Sequence, residues 1–249
     1  MSDDKEPLIL AIETATRAGS VALARGTVIL AAASGNASAS HSTDLIEAID
    51  GVLQRAGTVL RDIDLFAAAV GPGSFTGLRI GLATTKSFAT CMGKQCAGIS
   101  TLAAIAHAAG PSAHTLALLP AGRGELFAQS FSVEHGQVRE LDAAAHLTPR
   151  NIFEVYGRAR ELRWAGEGAH QQAEILREWA KSNDIPFVDS DADRTGWSLA
   201  PKVDHLASPI AALALNAYRN GSTVSPDDLR AVYVRASDAE INEKWKREK

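Results

Sequence analysis

Cysteine is scarce in this chain of 249 residues, which contains only Cys91 and Cys96. Their C-x4-C spacing is not that of a C-x-x-C redox motif, and no second cysteine pair is present to complete a four-ligand zinc site. We therefore predict that both thiols are reduced and packed inside the protein, which is the usual environment of a free cysteine.

Paired histidines at helical spacing are also missing. None of the seven histidines is followed by another three or four residues later, so no helix presents two imidazoles on one face. The acidic run at 189–193 does not form a calcium loop, because Gly196 stands at its eighth position rather than its sixth and Ala200 at its twelfth. The sequence predicts neither a metal site nor a bound cofactor.

Neither an excess of positive charge nor a long apolar run occurs. The 25 Lys and Arg residues face 29 Asp and Glu residues, whereas a protein that binds nucleic acid tightly by itself usually has a basic surface. No apolar run approaches the roughly 20 residues of a membrane span, and the acidic start of the chain lacks the pattern of a signal peptide. We expect a cytoplasmic protein without a membrane contact.

The first part of the chain predicts strands followed by a regular alternation of helices and strands. Apolar segments at 8–16, 20–24 and 27–33, joined by tight turns, predict an antiparallel meander. Apolar residues then recur at helical spacing, and the predicted elements are a helix at 42–56, a strand at 65–70, a helix ending near residue 92, a strand at 95–99 and a helix at 101–109.

The second part predicts the same order without residue-level similarity to the first. Its predicted strands are 115–119, 125–133, 137–144, 163–165 and 186–188, and its predicted helices are 148–158, 171–181 and 208–219. Two such lobes in tandem are the architecture of the actin, hexokinase and Hsp70-like ATPases. We predict an α/β, two-lobed actin-like fold with mixed sheets flanked by helices, divided into lobes at 1–106 and 107–249.

A glycine-rich segment at 71–77, GPGSFTG, joins a predicted strand to the long helix. It is not a nucleophile elbow, because Pro72 and Thr76 occupy the glycine positions of G-x-S-x-G, and it matches neither the Walker A nor the dinucleotide motif. Two interpretations stay open. The segment is either an anion-binding turn at a helix N-terminus or a tight turn whose glycines allow close packing, with Ser74 or Thr76 as the helix cap.

Glu13 ends the first predicted strand beside Thr14 and Thr16. Two-lobed ATPases place an acidic residue and hydroxyl groups at this position, where they address metal and phosphate, although a capped turn is the alternative. The candidate residues of a degenerate phosphate or nucleotide loop are Glu13, Thr14, Thr16, Gly71, Gly73, Ser74, Thr76, Gly77 and Arg79.

Two of these segments resemble the TsaB (YeaZ) family. The segment 8–16, LILAIETAT, resembles the family's opening strand with Glu13 in place of the usual Asp, and 71–81, GPGSFTGLRIG, is similar to its most specific motif. The segments 98–102 and 232–235 also fit. One departure is at 120–125, PAGRGE, where Pro120 and Gly122 replace the acidic residue and the first Arg that family members usually carry.

The resemblance implies a noncatalytic homologue of TsaD, the enzyme that transfers threonylcarbamoyl to adenosine 37 of tRNAs reading codons that begin with A. It implies a heterodimer with TsaD, recruitment of the ATPase TsaE by that pair, and only indirect contact with tRNA. A homodimer in the absence of TsaD stays open. The alternative function is an ATP-binding small-molecule kinase or ATPase of the actin-like superfamily, and no Ser-His-Asp set supports a peptidase.

The helix-bundle interface of the family implies that the partner binds the two long helices of the first lobe. The residues expected at this interface lie at helical spacing and are mostly apolar or small: His41, Leu45, Ile49, Leu53, Leu78, Leu82, Thr85 and Ala89. The alternative is that each of these side chains covers the chain's own sheet.

Overall fold

The computed structural model of the protein describes residues 6–35, 41–188, 195–203 and 205–234. The described residues form two mixed β-sheets and seven α-helices. None of these helices combines the length and the apolar character needed to cross a membrane.

The first sheet has five strands in the order β3-β2-β1-β4-β5. Its strands are β1 (Leu8–Glu13), β2 (Ser20–Arg25), β3 (Val28–Ser34), β4 (Leu65–Gly71) and β5 (Gln95–Ser100). The first three strands form the predicted antiparallel meander, and β4 and β5 run parallel to β1. Parallel strands need a crossover connection, which α1 (His41–Arg55) and α2 (Phe75–Met92) provide.

The second sheet has the order β11-β12-β10-β6-β7-β8, with β9 paired to β7. Its strands are β6 (Ser112–Gly122), β7 (Glu125–Glu134), β8 (Gln137–Glu140), β9 (Ala145–Leu147), β10 (Leu162–Ala165), β11 (Phe187–Val188) and β12 (Trp197–Leu199). The helices α4 (Pro149–Tyr156), α5 (Glu167–Gln171) and α6 (Ala173–Ser182) connect these strands. The sequence did not predict β12 or the five-residue α5, and it merged β8 with the segment before β9, because elements this short show no periodicity.

Five layers result from the packing of helices on both faces of each sheet. The helices α1 and α2 cover the outer face of the first sheet, and α4 and α6 cover the outer face of the second. The helices α3 (Thr101–Ala109) and α7 (Ala207–Arg219) lie between the sheets and share one apolar core with both. Strand β1 is buried on both faces, which explains its uninterrupted apolar sequence.

The segment after α7 returns to the first sheet. The backbone groups of Cys96 and Val224 exchange two hydrogen bonds of 2.8 Å, and the Val232 N–H donates to the Val70 carbonyl at 2.7 Å. The Lys86 Nζ also donates to the Leu229 carbonyl at 3.3 Å. We call residues 222–234 the C-terminal strap. The lobe division at residue 106 stays a prediction. Helix α7 packs against the strands of the first sheet, and the strap is hydrogen-bonded to β4 and β5 of the same sheet.

The two cysteines have different environments. Cys96 is buried in β5, as predicted, and burial raises the pKa of its thiol to about 11. The prediction was wrong for Cys91, which is exposed. Cys91 is on the outward face of α2, because the opposite face of that helix is the one that meets the sheet.

Candidate functional site

The glycine-rich segment forms a tight turn between β4 and α2. Ser74 is the N-cap of α2, since its Oγ accepts a hydrogen bond of 3.2 Å from the Gly77 N–H. The Ser74 N–H donates in turn to the Ala15 carbonyl at 2.8 Å. The turn is therefore held against the end of β1, and the helix begins within hydrogen-bonding distance of that strand.

The glycines of this turn lie where backbone segments approach each other closely. A Cβ on Gly73 would come within 2.6 Å of the Ala15 carbonyl oxygen, and a Cβ on Gly77 would overlap the Thr14 carbonyl oxygen. A Cβ on Gly81 would overlap the Thr14 Oγ1, which donates to the Gly77 carbonyl at 2.7 Å. These glycines permit close packing of α2 on β1, and their use in anion binding stays a prediction.

The Glu13 carboxylate is buried at the end of β1 and bonded within its own turn. It accepts hydrogen bonds from the Thr16 N–H at 2.6 Å, the Thr16 hydroxyl at 2.7 Å and the Ser20 hydroxyl at 3.3 Å. The Ser20 Oγ also accepts a hydrogen bond from the Ala207 N–H at 3.1 Å. Glu13 therefore links the β1–β2 turn to the first residue of α7.

We predict a pH-dependent contribution of Glu13 to stability. Burial raises the pKa of its carboxyl above the ordinary value of 4.5, despite the bonds from Thr16 and Ser20. The folded protein therefore holds this proton more tightly than the unfolded chain, and the resulting stability is lost as pH rises from the ordinary pKa through the folded-state pKa. Glu13→Gln should flatten this dependence in urea unfolding measured at a series of pH values above the ordinary pKa of 4.5.

The exposed Glu161 is the control for this experiment. Glu161→Gln removes a carboxylate of the same type and should leave the pH dependence of the parent protein unchanged. If the Glu13→Gln and parent curves of unfolding free energy against pH run parallel, the assignment to Glu13 is incorrect.

A cleft of about 540 Å³ lies between the turns that connect elements of the first sheet and the turns that connect elements of the second sheet. On the first-lobe side, it is lined by residues 15–17 and 72–75, and on the second-lobe side by residues 119–122, Glu167 and Gln171. Residues 232–234 of the C-terminal strap line it as well. The cleft is therefore built from three parts of the chain that are distant in sequence.

Only some of the predicted loop residues line this cleft. Thr16, Gly73 and Ser74 do, whereas Glu13 and Thr14 are buried behind it. The exposed Arg79 guanidinium lies 3.9 Å from the centre of the Phe75 ring. The residues of the predicted set that the cleft lining does not include are Glu13, Thr14, Gly71, Thr76, Gly77 and Arg79. The Glu167 and Gln171 side chains, which sequence reasoning missed, belong to α5, whose N-cap is Gly166 directly after β10.

The unusual segment 120–125 forms the β6–β7 hairpin at the edge of the cleft. Three consecutive residues have left-handed φ values, 82° at Gly122, 54° at Arg123 and 77° at Gly124. A Cβ on either glycine would meet nothing within 4 Å, so their conformation rather than space favours glycine. Pro120, one of the two departures from the family pattern expected from the sequence, lines the cleft.

The expected interface stripe of α1 and α2 packs against the protein's own sheet. The seven described side chains of this set are buried: Leu45, Ile49, Leu53, Leu78, Leu82, Thr85 and Ala89. His41 begins α1, and its side chain lies outside the described part of the chain. A sheet face as apolar as this one must be covered, so the stripe that meets it is core. Any partner contact of these helices must involve their outward faces.

Potential metal ligands are dispersed in the described part of the chain. No three or more His, Cys, Asp or Glu side chains there are close enough to share a metal ion. The acidic run at 189–193 lies outside the described residues.

Comparison with known proteins finds relatives along most of the chain. The family model described as "TsaD: tRNA N6-adenosine threonylcarbamoyltransferase" matches residues 34–219. The tRNA threonylcarbamoyladenosine biosynthesis protein TsaB of Escherichia coli (strain K12) is 31% identical over 96% of this chain and 97% of its own. A tRNA N6-adenosine threonylcarbamoyltransferase of Rhizobium meliloti (strain 1021) is 42% identical, over 26% of this chain and 18% of its own. The structure of YeaZ from Pseudomonas aeruginosa is 25% identical with a TM-score of 0.69, covering 91% of this chain and 99% of that one.

Proposed function

Because this chain belongs to the TsaB family of tRNA threonylcarbamoyladenosine biosynthesis proteins, we propose that it is the noncatalytic subunit that pairs with a TsaD-type enzyme. In this proposal the pair recruits TsaE in the cytoplasm, and this chain contacts tRNA only through its partners. The threonylcarbamoyltransferase family model matches three quarters of the chain, which supports a common ancestry of this chain and the TsaD-type enzyme proposed as its partner.

The main support for the proposed pairing with a TsaD-type enzyme is the composition of the outward face of α2. We call this face the α2 outer stripe, and it consists of Thr76, Ile80, Ala83, Ser87, Thr90 and Cys91. All of these side chains are exposed except that of Ile80, which is half-buried. The stripe spans four helical turns and contains no charged residue, whereas an exposed helix face in a soluble protein is normally charged.

The two charged side chains of α2 border this stripe, and both contact other groups of the chain. The Arg79 guanidinium covers the Phe75 ring, and the Lys86 ammonium bonds the Leu229 carbonyl of the C-terminal strap. Depletion of charge is typical of the centre of a protein interface, and small side chains such as Ala83 and Ser87 let a partner helix approach closely. These features support a helix of a partner protein as the occupant.

The environment of Glu13 supports the noncatalytic part of the proposal. A carboxylate that acts on metal or phosphate must face the ligand, but both Glu13 oxygens accept hydrogen bonds from Thr16 and Ser20 and the side chain is buried. No described contact favours the kinase or ATPase alternative over this arrangement. Calorimetry with Mg-ATP tests that alternative directly.

We predict that Ser87→Arg disrupts the complex with a TsaD-type partner. The guanidinium would be placed in the middle of the α2 outer stripe, and burial of an unpaired charge costs several kcal/mol. The dissociation constant should therefore rise about a hundredfold or more. Size-exclusion chromatography of the mixed proteins, followed by the tRNA modification assay with TsaE, measures the effect.

Ser182→Arg is the matched control, because Ser182 is also an exposed helical serine but ends α6 on the other sheet. It should leave both co-elution and modification unchanged. If Ser87→Arg also leaves them unchanged, the proposed surface is incorrect. If the parent chain never co-elutes with the partner and modification proceeds without it, the proposed function is incorrect.

The same surface is available to a second copy of this chain. Sedimentation of the isolated chain shows whether a homodimer forms, and Ser87→Arg should shift any such dimer to monomer. A dimer that this substitution leaves intact must use another surface.

A further inference from the structure

Strand β3 is the outer strand of the first sheet, and β2 is its one neighbour among the described strands. The strand at the opposite edge, β5, is covered by the C-terminal strap, because Cys96 and Val224 exchange backbone hydrogen bonds. The outer strands of the second sheet, β8 and β11, are only four and two residues long. With seven residues, β3 is therefore the longest described edge that another strand could join.

The composition of β3 does not protect this edge. Sheet edges in soluble proteins are usually protected by a lysine, a proline, an inward-pointing charge or a bulge. The sequence of β3, VILAAAS, contains no charge and no proline, and its register shift beside Leu30 leaves residues 31–34 regularly paired with β2. Val28, Ile29 and Leu30 expose 61%, 41% and 41% of their surface. Adjacent exposed apolar side chains on an edge strand indicate a surface that another protein covers.

Helix α1 runs alongside β3 in the opposite direction and presents one side to the same edge. The Arg55 guanidinium, near the end of α1, donates a hydrogen bond of 3.1 Å to the Ala32 carbonyl. Asp44, near the start of α1, lines a small cavity together with Gly35, which follows β3. We call this side the α1 edge flank, and its members follow one another at helical spacing: Asp44, Ala48, Gly51 and Arg55.

The α1 edge flank is complementary to a second copy of itself. It begins with an acidic residue, ends with a basic one and has two small residues between them, at intervals of four, three and four residues. When a two-fold axis relates two antiparallel α1 helices, Asp44 of each copy lies opposite Arg55 of the other. Ala48 then lies opposite Gly51, and small residues let two helices approach closely. A Cβ on Gly51 would meet only the Arg55 Nη1 within 4 Å, so the flank is open to a second helix.

We infer that this edge is a homodimer surface, in which the β3 strands of two copies pair antiparallel near Ala32 and their α1 edge flanks pack across the same two-fold axis. The two five-stranded sheets then form one continuous sheet. The Arg55 guanidinium exchanges the Ala32 carbonyl of its own chain for the Asp44 carboxylate of the second copy, which frees that carbonyl for strand pairing.

The α1 edge flank favours a second copy of this chain over an extended peptide as the occupant. A peptide strand from another protein would pair with β3 alone and leave the complementary charges of α1 without partners. The surface is also separate from the α2 outer stripe, because α1 packs on β2 and β3 whereas α2 packs mainly on β4. This inference therefore does not depend on the proposed pairing through α2.

Analytical ultracentrifugation of the Ser87→Arg chain tests the inference, because that substitution removes a dimer formed through the α2 outer stripe. The Ser87→Arg chain should sediment as a dimer that dissociates to monomer on dilution. If it sediments as a monomer throughout the concentration series, the inference is overturned.

Ile29→Lys in the Ser87→Arg background should raise the dissociation constant of this dimer at least about tenfold, because each copy then carries a charge on the paired edge. Ile175→Lys is the matched control, since Ile175 in α6 is 46% exposed against 41% for Ile29. The control should leave the dissociation constant unchanged, and circular dichroism checks that both variants are folded. Equal effects of the two substitutions would exclude β3 from the dimer surface.

Two charge reversals in the same background test the two-fold arrangement. Asp44→Arg brings two cations together at both symmetric contacts, and Arg55→Asp brings two carboxylates together. Either variant alone should therefore dimerise at least about tenfold more weakly. An equimolar mixture should dimerise as tightly as the chain with neither reversal, because the new arginine of one copy faces the new aspartate of the other. A mixture that dimerises no better than the separate variants contradicts the arrangement.

Discussion

Replacing Gly77 with alanine is expected to lower the free energy of unfolding by about 3 kcal/mol. The added Cβ would overlap the Thr14 carbonyl oxygen, and both the first turn of α2 and the end of β1 are rigid backbone. The helix would have to move away from the sheet, weakening the Thr14 hydrogen bond to the Gly77 carbonyl. For a chain of this size the melting temperature should fall by roughly 6–12 °C, measured by calorimetry or circular dichroism.

Gly51→Ala is the control for the Gly77 substitution, because it makes the same change inside the neighbouring helix α1. A Cβ there would meet only the Arg55 Nη1 at 3.4 Å, which is the end of a flexible side chain. Alanine restricts the unfolded chain and suits a helix better than glycine, so stability should rise by about 0.5–1 kcal/mol. Equal effects of the two substitutions would show that close packing at Gly77 is not what requires glycine.

Trp164→Ala is expected to destabilise the second lobe by about 4 kcal/mol. Trp164 is fully buried in β10, its ring centre lies 4.8 Å from that of Trp197 in β12, and Phe153 of α4 packs on it at 6.0 Å. Removal of the indole leaves a cavity between the sheet and its outer helices. Urea unfolding followed by the fluorescence of the remaining tryptophans measures the loss.

Substitution of the same two tryptophans by phenylalanine separates packing from hydrogen bonding. The buried Trp164 Nε1 has no hydrogen-bond partner among the described residues, whereas the Trp197 Nε1 donates to the Ala159 carbonyl at 2.8 Å. Trp164→Phe should therefore cost less than Trp197→Phe, by about 1 kcal/mol, because only the latter leaves a carbonyl without its donor. The reverse order would contradict this assignment.

Several elements could be predicted from the sequence because their patterns are local. The apolar run of β1, the helical spacing of α1 and a cap at Ser74 or Thr76 for α2 each depend on residues that are close together in the chain. The repeated element order then led to the two-lobed fold. Segments as short as β12 and α5 carry no such pattern and are stabilised by pairing with β10 and packing on β6.

Which face of a helix is buried could not be predicted from the sequence in the same way. The stripe containing Leu45 and Leu82 has the spacing of an interface and of a core alike, and only the position of the first sheet shows that these side chains are buried. The cleft could not be predicted from the sequence either. Its lining residues Thr16, Glu167 and Val232 are separated by up to more than two hundred residues in the chain and come together only in the folded protein.

The sequence by itself determined the order of the longer strands and helices, the glycines at the start of α2 and the family, because these features depend on residues that are close together in the chain. Only the tertiary structure decided that α7 and the C-terminal strap cover the first sheet, that Glu13 bonds its own turn and that the uncharged face of α2 points outward. These properties depend on contacts between residues that are distant in the sequence. The local pattern allows more than one face of a helix to be buried, and the burial of apolar surface in the folded protein decides which face it is.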